Sequence, residues 1–227
     1  GFLAGSGLAL CGCVMQAVVQ NPMADPYILG VSAGATLGAT GSLFLGLGVI
    51  SGFWAFVGAG SACFLVLALS SADGKTTSVK LILSGMIVNA LLTAFSNFII
   101  AVAGDSDGMM SIKFWTMGSL TRAGWKNIGP IALIVLAAAV FFRTQAQTLD
   151  GLMLGEEAAS TIGINTFRCR LVYLLVLSVL TGALVSVCGT IGFVGLIIPH
   201  VSSAIAGTAH RKLLPIAALH DRRLLHC

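Results

Sequence analysis

The chain has 227 residues, of which 57% are apolar and only 9% are charged, against about 25% charged in a typical soluble domain. Roughly two-thirds of it lies in five long runs without Asp, Glu, Lys or Arg. A soluble fold of this size has too little core to hide such runs, which excludes a soluble enzyme, a nucleic-acid-binding domain and a disordered protein. The net charge of +4 comes from scattered basic residues without a basic stripe, so no nucleic-acid partner is expected. The composition predicts a polytopic membrane protein.

Seven apolar segments are predicted to form helices, because crossing a hydrocarbon core of about 30 Å takes roughly 20 helical residues. They lie near 1–20, 28–48, 53–71, 80–103, 128–142, 171–188 and 193–206. Asn21-Pro22 and Asp25-Pro26 end the first, since a residue before proline avoids the helical region. The predicted fold class is all-α, a polytopic membrane helix bundle.

Small residues recur at four-residue spacing, for example at Gly30, Gly34 and Gly38. Such spacing lets membrane helices approach closely. It predicts a tightly packed bundle. Cysteines inside charge-free runs are expected to act as small apolar residues, and neither a disulfide nor a metal site is predicted.

The distribution of Lys and Arg predicts the orientation in the membrane. With seven spans, the loops 21–27, 72–79 and 143–170 and the C-terminal tail share one side, which holds nine basic residues once Lys80 is counted. The other side holds three, namely Lys113, Arg122 and Lys126. The more basic side is predicted to be cytoplasmic.

The outer segment 105–127 contains two tryptophans beside these basic residues and is predicted to include a short helix. Tryptophan favours the membrane surface. The segment is therefore interpreted either as an interfacial anchor or as a docking shelf for an external partner.

Four stretches, in order, carry a resemblance to one family. They are GLALCGCVMQAVVQNPMADPYILGVSAGATLGA, FWTMGSLTRAGW, LGEEAASTIGIN and GTIGFVGLIIPHVSSAIAGTAHRKLLP. Together they resemble the permease subunit of ATP-binding-cassette (ABC) importers for iron-siderophores, haem and cobalamin, the BtuC-like or FecCD family. The resemblance covers residues 1–218 and implies about seven helices of a ten-helix permease, as a fragment lacking both ends. Residues 1–219 are expected to form a single transmembrane domain, and 220–227 to be a non-native or frame-shifted tail.

The resemblance also implies a site of contact with the ATPase. In the family, the GEEAA stretch lies in a cytoplasmic loop of two short helices, which agrees with the charge count for 143–170. Here Glu156 and Glu157 would supply hydrogen-bond acceptors. Ala158 and Ala159 would allow close approach, and Gly163 would permit a turn.

Polar residues inside apolar runs are candidates for function, because they are costly in lipid. Gln16, Asn89 and Asn97 line the substrate path in one interpretation and form interhelical hydrogen bonds in the other. The roles expected of Pro22, Pro26, Pro199 and His200 are structural.

The resemblance implies a non-enzymatic permease subunit in the bacterial cytoplasmic (inner) membrane, importing an iron-siderophore, haem or cobalamin-type chelate. Its expected partners are a second permease copy or a homologous permease, two ATP-binding-cassette ATPase subunits, an extracytoplasmic substrate-binding protein docking at Arg122 and Lys126, and membrane lipid. The chain has no GxxxxGK[ST] phosphate loop, so ATP is expected on the partner. No cofactor or metal is expected on this chain.

Two alternatives belong to other classes. An ion-coupled secondary transporter would use intramembrane carboxylates or broken-helix ion sites, whereas all eight Asp and Glu residues lie outside the deep apolar runs. An intramembrane enzyme would need a catalytic cluster, and His200 has no Asp, Glu or second His nearby in sequence.

Overall fold

A computed structural model describes residues 1–47, 51–71, 77–103, 110, 117–119, 125–207 and 209–220. The helices of this part, numbered in chain order, are α1 (Phe2–Val19), α2 (Val31–Phe44), α3 (Ser51–Ser70), α4 (Ser78–Ala103), α5 (Trp125–Thr144), α6 (Ala146–Met153), α7 (Glu156–Thr161), α8 (Thr166–Cys188), α9 (Val194–Ala206) and α10 (His210–His220). A 3₁₀ turn, Pro26–Leu29, precedes α2. No strand occurs among the described residues, so the all-helical prediction is confirmed.

The chain divides into two compact units. Unit 1 comprises Gly1–Pro26, Ile128–Leu180 and Gly192–Cys227, and unit 2 comprises Tyr27–Asn127 and Thr181–Ile191. The single domain over 1–219 stays an expectation. Of the expected tail, residues 221–227 lie outside the described part of the chain.

Unit 1 is built around α1, which is almost entirely buried and packs against α9 and α10. Where α1 and α9 cross, a Cβ on Gly12 would overlap the carbonyl oxygen of Gly195. Pro199 has no N–H, so this carbonyl lacks its usual donor within α9 and can lie against the Cα of Gly12 instead. Glycine at both positions allows the close crossing.

Unit 2 packs α2 against α3 and α4. Gly34 of α2 lies against Gly58 of α3, and a Cβ on either would overlap the carbonyl oxygen of the other. One turn further along, a Cβ on Gly38 would overlap the carbonyl oxygen of Trp54. The close packing predicted from the glycine spacing is therefore confirmed at Gly34 and Gly38, whereas Gly30 (φ 68°) starts the helix.

The segment that follows α1 turns back along the same helix. A Cβ on Gly195 would lie 2.8 Å from the ring of Pro26 and 3.1 Å from the carbonyl oxygen of Leu8. Leu8 lies about 16 Å before the end of α1 at Val19, at 1.5 Å of rise per residue. The second half of 21–27 therefore lies beside the middle of α1 and not beyond its end, because the absence of a side chain at 195 leaves room for the proline ring. The cytoplasmic side predicted for this loop stays a prediction.

Helix length also corrects the predicted spans. Among the described residues, four helices (α1, α3, α4 and α8) are long and apolar enough to cross a membrane, and the pair α5–α6, bent by 65°, can form a fifth. The other two predicted spans are shorter, since α2 has 14 residues and α9 has 13. Each is about 20 Å long, less than the thickness of the hydrocarbon core. In addition, α10 is a helix that the seven predicted segments do not include.

Candidate functional site

Polar side chains from five elements form hydrogen bonds that join these elements at one end of unit 1. They come from the C-terminal end of α1, from α6 and α7, and from the beginnings of α8 and α10. We call the five residues Gln20, Asp150, Glu156, Arg170 and His210 the polar junction. All five lie in or beside segments that the charge count assigns to the cytoplasmic side.

Arg170 is the most buried charge of the polar junction, with a side chain that is 1% exposed. Its Nη1 donates to Oε1 of Glu156 at 2.5 Å, and its Nε donates to the carbonyl oxygen of Val18 at 3.1 Å. Guanidinium is suited to this arrangement because its donors are fixed in one plane and can serve two acceptors at once. One side chain of α8 therefore links the first residue of α7 to the last turn of α1.

Two further contacts join α6 to the end of α1 and to the start of α10. Nε2 of Gln20 donates to the carbonyl oxygen of Leu152, in the last turn of α6, at 2.8 Å. Oδ1 of Asp150 accepts the backbone N–H of His210 at 2.9 Å and lies 2.6 Å from Nδ1 of the same residue. This carboxylate caps the first turn of α10 from 60 residues away, where an acceptor for an unpaired N–H is favourable.

One side of α7 is exposed, and the other is buried within unit 1. Glu157 and Ala158 are exposed and Glu156 is partly exposed, whereas Ala159 is fully buried. The expected close approach of a partner to Ala159 is therefore corrected, because this side chain packs inside its own unit. Ala158 is the small residue that a partner can reach.

The end of α7 needs a glycine. Gly163 has φ 83°, and its N–H donates to the carbonyl of Ser160 at 3.0 Å while the N–H of Ile164 donates to that of Ala159 at 2.9 Å. These two bonds form a Schellman motif, in which the left-handed residue is usually glycine. The turn expected at Gly163 is confirmed.

The outward side of α7 presents the carboxylate of Glu157 and the small side chain of Ala158. The first residue of this short helix, Glu156, is held by the buried Arg170. Within the described residues, no group of three or more His, Cys, Asp or Glu side chains is placed to hold a metal ion.

Comparison with known proteins identifies the family. A sequence model described as the FecCD transport family matches residues 1–222. The chain belongs to the FecCD transport family. It is a multi-pass membrane protein, with several apolar helices long enough to cross a bilayer.

Two relatives and one solved structure illustrate the likeness to this FecCD-family chain. The cobalamin import system permease protein BtuC of Halobacterium salinarum is 38% identical over 96% of the chain, and an ABC transporter permease protein of Bacillus subtilis, YvrB, is 39% identical over 96%. The chain spans 59% and 63% of the length of these two relatives. A metal-chelate type ABC transporter solved in an inward-facing conformation matches with a TM-score of 0.87 and 31% identity, covering 96% of this chain and 70% of that one.

The intramembrane amides of the FecCD-family chain fall in different units. Nε2 of Gln16, in unit 1, is buried and has no hydrogen-bond partner among the described residues. Asn89 and Asn97 are exposed on α4 in unit 2. With the exposed Thr93 between them, they form a polar stripe at four-residue spacing. Their roles stay predictions.

The residues with expected structural roles are placed as follows. Pro26 and Pro199 are buried, and Pro22 is exposed. His200 is exposed on α9, and its carbonyl accepts the hydroxyl of Ser203 at 2.8 Å.

The outer segment of the FecCD-family chain is described only in part. Arg122 lies outside the described residues, as does most of 105–124, and Lys126 is in the first turn of α5. Within unit 2, Ser119 donates its backbone N–H to the carbonyl of Cys188 at 2.8 Å. The docking role of this segment stays a prediction.

Sequence reasoning missed four of the five junction residues in the FecCD-family chain, all except Glu156. The signal that could have found Arg170 is its position at the start of a 39-residue run without charge, where a charge needs a partner.

Proposed function

We propose that this chain forms part of the permease subunit of an ATP-driven importer in the bacterial cytoplasmic (inner) membrane. The substrate class is a metal chelate such as an iron-siderophore, haem or cobalamin. The observation that carries the proposal is α7, a short helix with an acidic and small outward side, joined through Glu156 and Arg170 to α8 and to the end of α1. Membership of the FecCD family supports it, as do the cobalamin and metal-chelate names of the relatives.

α7 and α6 would contact one of two ATP-binding-cassette ATPase subunits. The sequence has no phosphate loop of its own, so the nucleotide would be bound and hydrolysed on the partner and this chain would be no enzyme. Ala158 would let the partner approach closely. Glu157, exposed in the first turn of α7, would accept hydrogen bonds from it.

α4 would face both the substrate path and lipid. Its polar stripe, Asn89, Thr93 and Asn97, is exposed in the chain, yet such groups are costly against acyl chains. The stripe would therefore face water or a second permease subunit, with Gln16 as a further candidate for the path. Bulky apolar residues occupy another exposed side of α4, which would contact membrane lipid. These are Leu83, Ile87, Leu91, Phe95 and Phe98.

The outer side would receive the substrate-binding protein. Arg122 and Lys126 are the basic residues proposed to meet acidic groups on it, since charge pairs of this kind set orientation and encounter rate.

The test uses the full-length permease, reconstituted in proteoliposomes with its ATPase and binding protein. Uptake of a labelled ferric siderophore, haemin and cobalamin is measured with and without ATP, and with a protonophore. We expect one chelate to accumulate only with ATP and regardless of the protonophore. Accumulation that needs an ion gradient and not ATP would contradict the proposal and favour a secondary transporter.

A further inference from the structure

The last turn of α1 has carbonyl groups that its own backbone cannot satisfy, as at every helix end. The N–H groups of Gln20 and Asn21 bond the carbonyls of Ala17 and Gln16 at 3.3 and 3.1 Å. The carbonyl of Val18 accepts Nε of Arg170 instead. The end of α1 is therefore completed by a side chain from α8.

The guanidinium of Arg170 also pairs with the carboxylate of Glu156, at the start of α7. Arg170 is 1% exposed and its partner Glu156 is 41% exposed, so the arginine is the desolvated member of the pair. Breaking an ion pair of a buried charge is far costlier than losing a surface ion pair. α7 therefore cannot shift away from Arg170 without a large penalty, and Arg170 cannot shift without breaking its bond to α1.

A second contact, made by Gln20, also joins the end of α1 to one of the two short helices. Gln20 has φ 56°, a left-handed conformation that costs about 1–2 kcal/mol for a residue with a Cβ. Its side chain reaches the last turn of α6. Thus both short helices are joined to the C-terminal end of α1.

α1 is well placed to pass on a displacement. It is buried along almost its whole length, and its crossing with α9 leaves no space at Gly12 and Gly195. Closely packed interiors transmit strain instead of absorbing it. A movement at the end of α1 would therefore press on α9.

We propose that Arg170 is the positioning residue through which movement of α7 is passed to α1. This inference rests on the proposed function, because it assigns the movement of α7 to the ATPase. Arg170 touches neither nucleotide nor substrate in this account. It acts by joining Glu156 to the Val18 carbonyl.

The test compares Arg170→Met with Arg168→Met in the full-length permease assembled with its ATPase and binding protein. Arg168 lies two residues away on α8, is exposed, and loses the same charge. We expect substrate uptake per ATP hydrolysed to fall about fivefold or more in Arg170→Met, measured on the fraction of permease that carries the ATPase; fivefold is the lower end of the coupling expected between linked sites. Arg168→Met should stay within about twofold of the parent, as expected of a surface change. An unchanged ratio in Arg170→Met would overturn the inference.

If Arg170→Met assembles poorly with the ATPase and binding protein, a distance measurement tests the inference instead. Spin labels are placed at Met23, just beyond α1, and at Ser160 on α7, both exposed, in a cysteine-free background. In the parent, the distance should be narrow and the same with and without trapped ATP. With Glu156→Ala, which removes the link from the other side, it should broaden and shift with nucleotide. A narrow distance in Glu156→Ala would overturn the inference, whereas absence of ATP-driven uptake in the parent would overturn the proposed function instead.

Discussion

Ala158 and Ala159 are neighbours with opposite environments. Ala158 is exposed, and Ala159 is 0% exposed within unit 1. A long charged side chain therefore tests docking at one position and folding at the other. The two substitutions form a matched pair, because the same residue is introduced one position apart.

We expect Ala158→Arg to abolish co-purification of the ATPase while membrane insertion and docking of the binding protein survive, since an arginine at a close contact lacks room and a partner. Ala159→Arg should instead lower the amount of folded permease, because burying an unpaired charge costs several kcal/mol. The measurement is the ATPase-to-permease ratio after detergent extraction. A normal ratio in Ala158→Arg would show that a partner does not dock on this side of α7.

Gly163 carries a second prediction at the residue scale. Its Cβ would meet nothing within 4 Å, so space does not restrict it, but its φ of 83° does. Gly163→Val should weaken the end of α7 by about 1–2 kcal/mol or more and reduce substrate-stimulated ATP hydrolysis. Gly163→Asn should retain most of it, because asparagine tolerates the left-handed conformation. Equal stimulation in the two variants would mean that the Schellman turn is not needed.

At the scale of elements, glycine contacts hold unit 2 together. Gly34 and Gly41 both lie on α2, but a Cβ on Gly34 would overlap the carbonyl oxygen of Gly58, whereas one on Gly41 would meet nothing within 4 Å. We expect Gly34→Ile to lower the thermal unfolding temperature of the full-length permease markedly, since overpacking costs at least about 1–3 kcal/mol. Gly41→Ile should change it little. Circular dichroism in detergent measures both, and similar unfolding temperatures would contradict the packing described for α2 and α3.

The sequence predicts well those elements whose structure depends on residues close together in the chain. Apolar runs between Pro and Gly breaks become helices, and glycine spacing becomes helix contact at Gly34. The return of the chain to Pro26 is decided by a glycine 169 positions later, at 195, and no local pattern reports such a pairing. α10 was missed because its first turn is basic and its cap, Asp150, is 60 residues away.

The candidate site likewise contains features that the sequence predicts and features that it does not. The LGEEAASTIGIN motif marks α7 because a resemblance carries it, and Gly163 behaves as a turn residue does. The resemblance could not separate Ala158 from Ala159, because burial depends on what α7 packs against. Nor could it indicate Arg170, which bonds to Glu156 and to the carbonyl of Val18, 14 and 152 positions away.

At the scale of the whole molecule, the orientation in the membrane is a prediction from the Lys and Arg count. Met117, in the outer segment, and Met23, after α1, are 68% and 64% exposed. In a cysteine-free background, Met117→Cys should react with an impermeant thiol reagent in intact cells stripped of their outer envelope. Met23→Cys should react only once the membrane is opened. The reverse pattern would invert the topology and remove the proposed role of α7.

We propose α7 as the place where an ATPase engages this chain. A photoreactive amino acid placed at Ala158 of the full-length permease, in membranes that contain the ATPase, tests it most directly. The matched position is Leu133 on α5, which is 71% exposed and lies in the apolar segment 128–142 that is predicted to cross the membrane. We expect a covalent permease–ATPase product from position 158 and none from position 133. Failure of position 158 to cross-link to an ATPase that supports uptake in the same membranes would contradict this proposal.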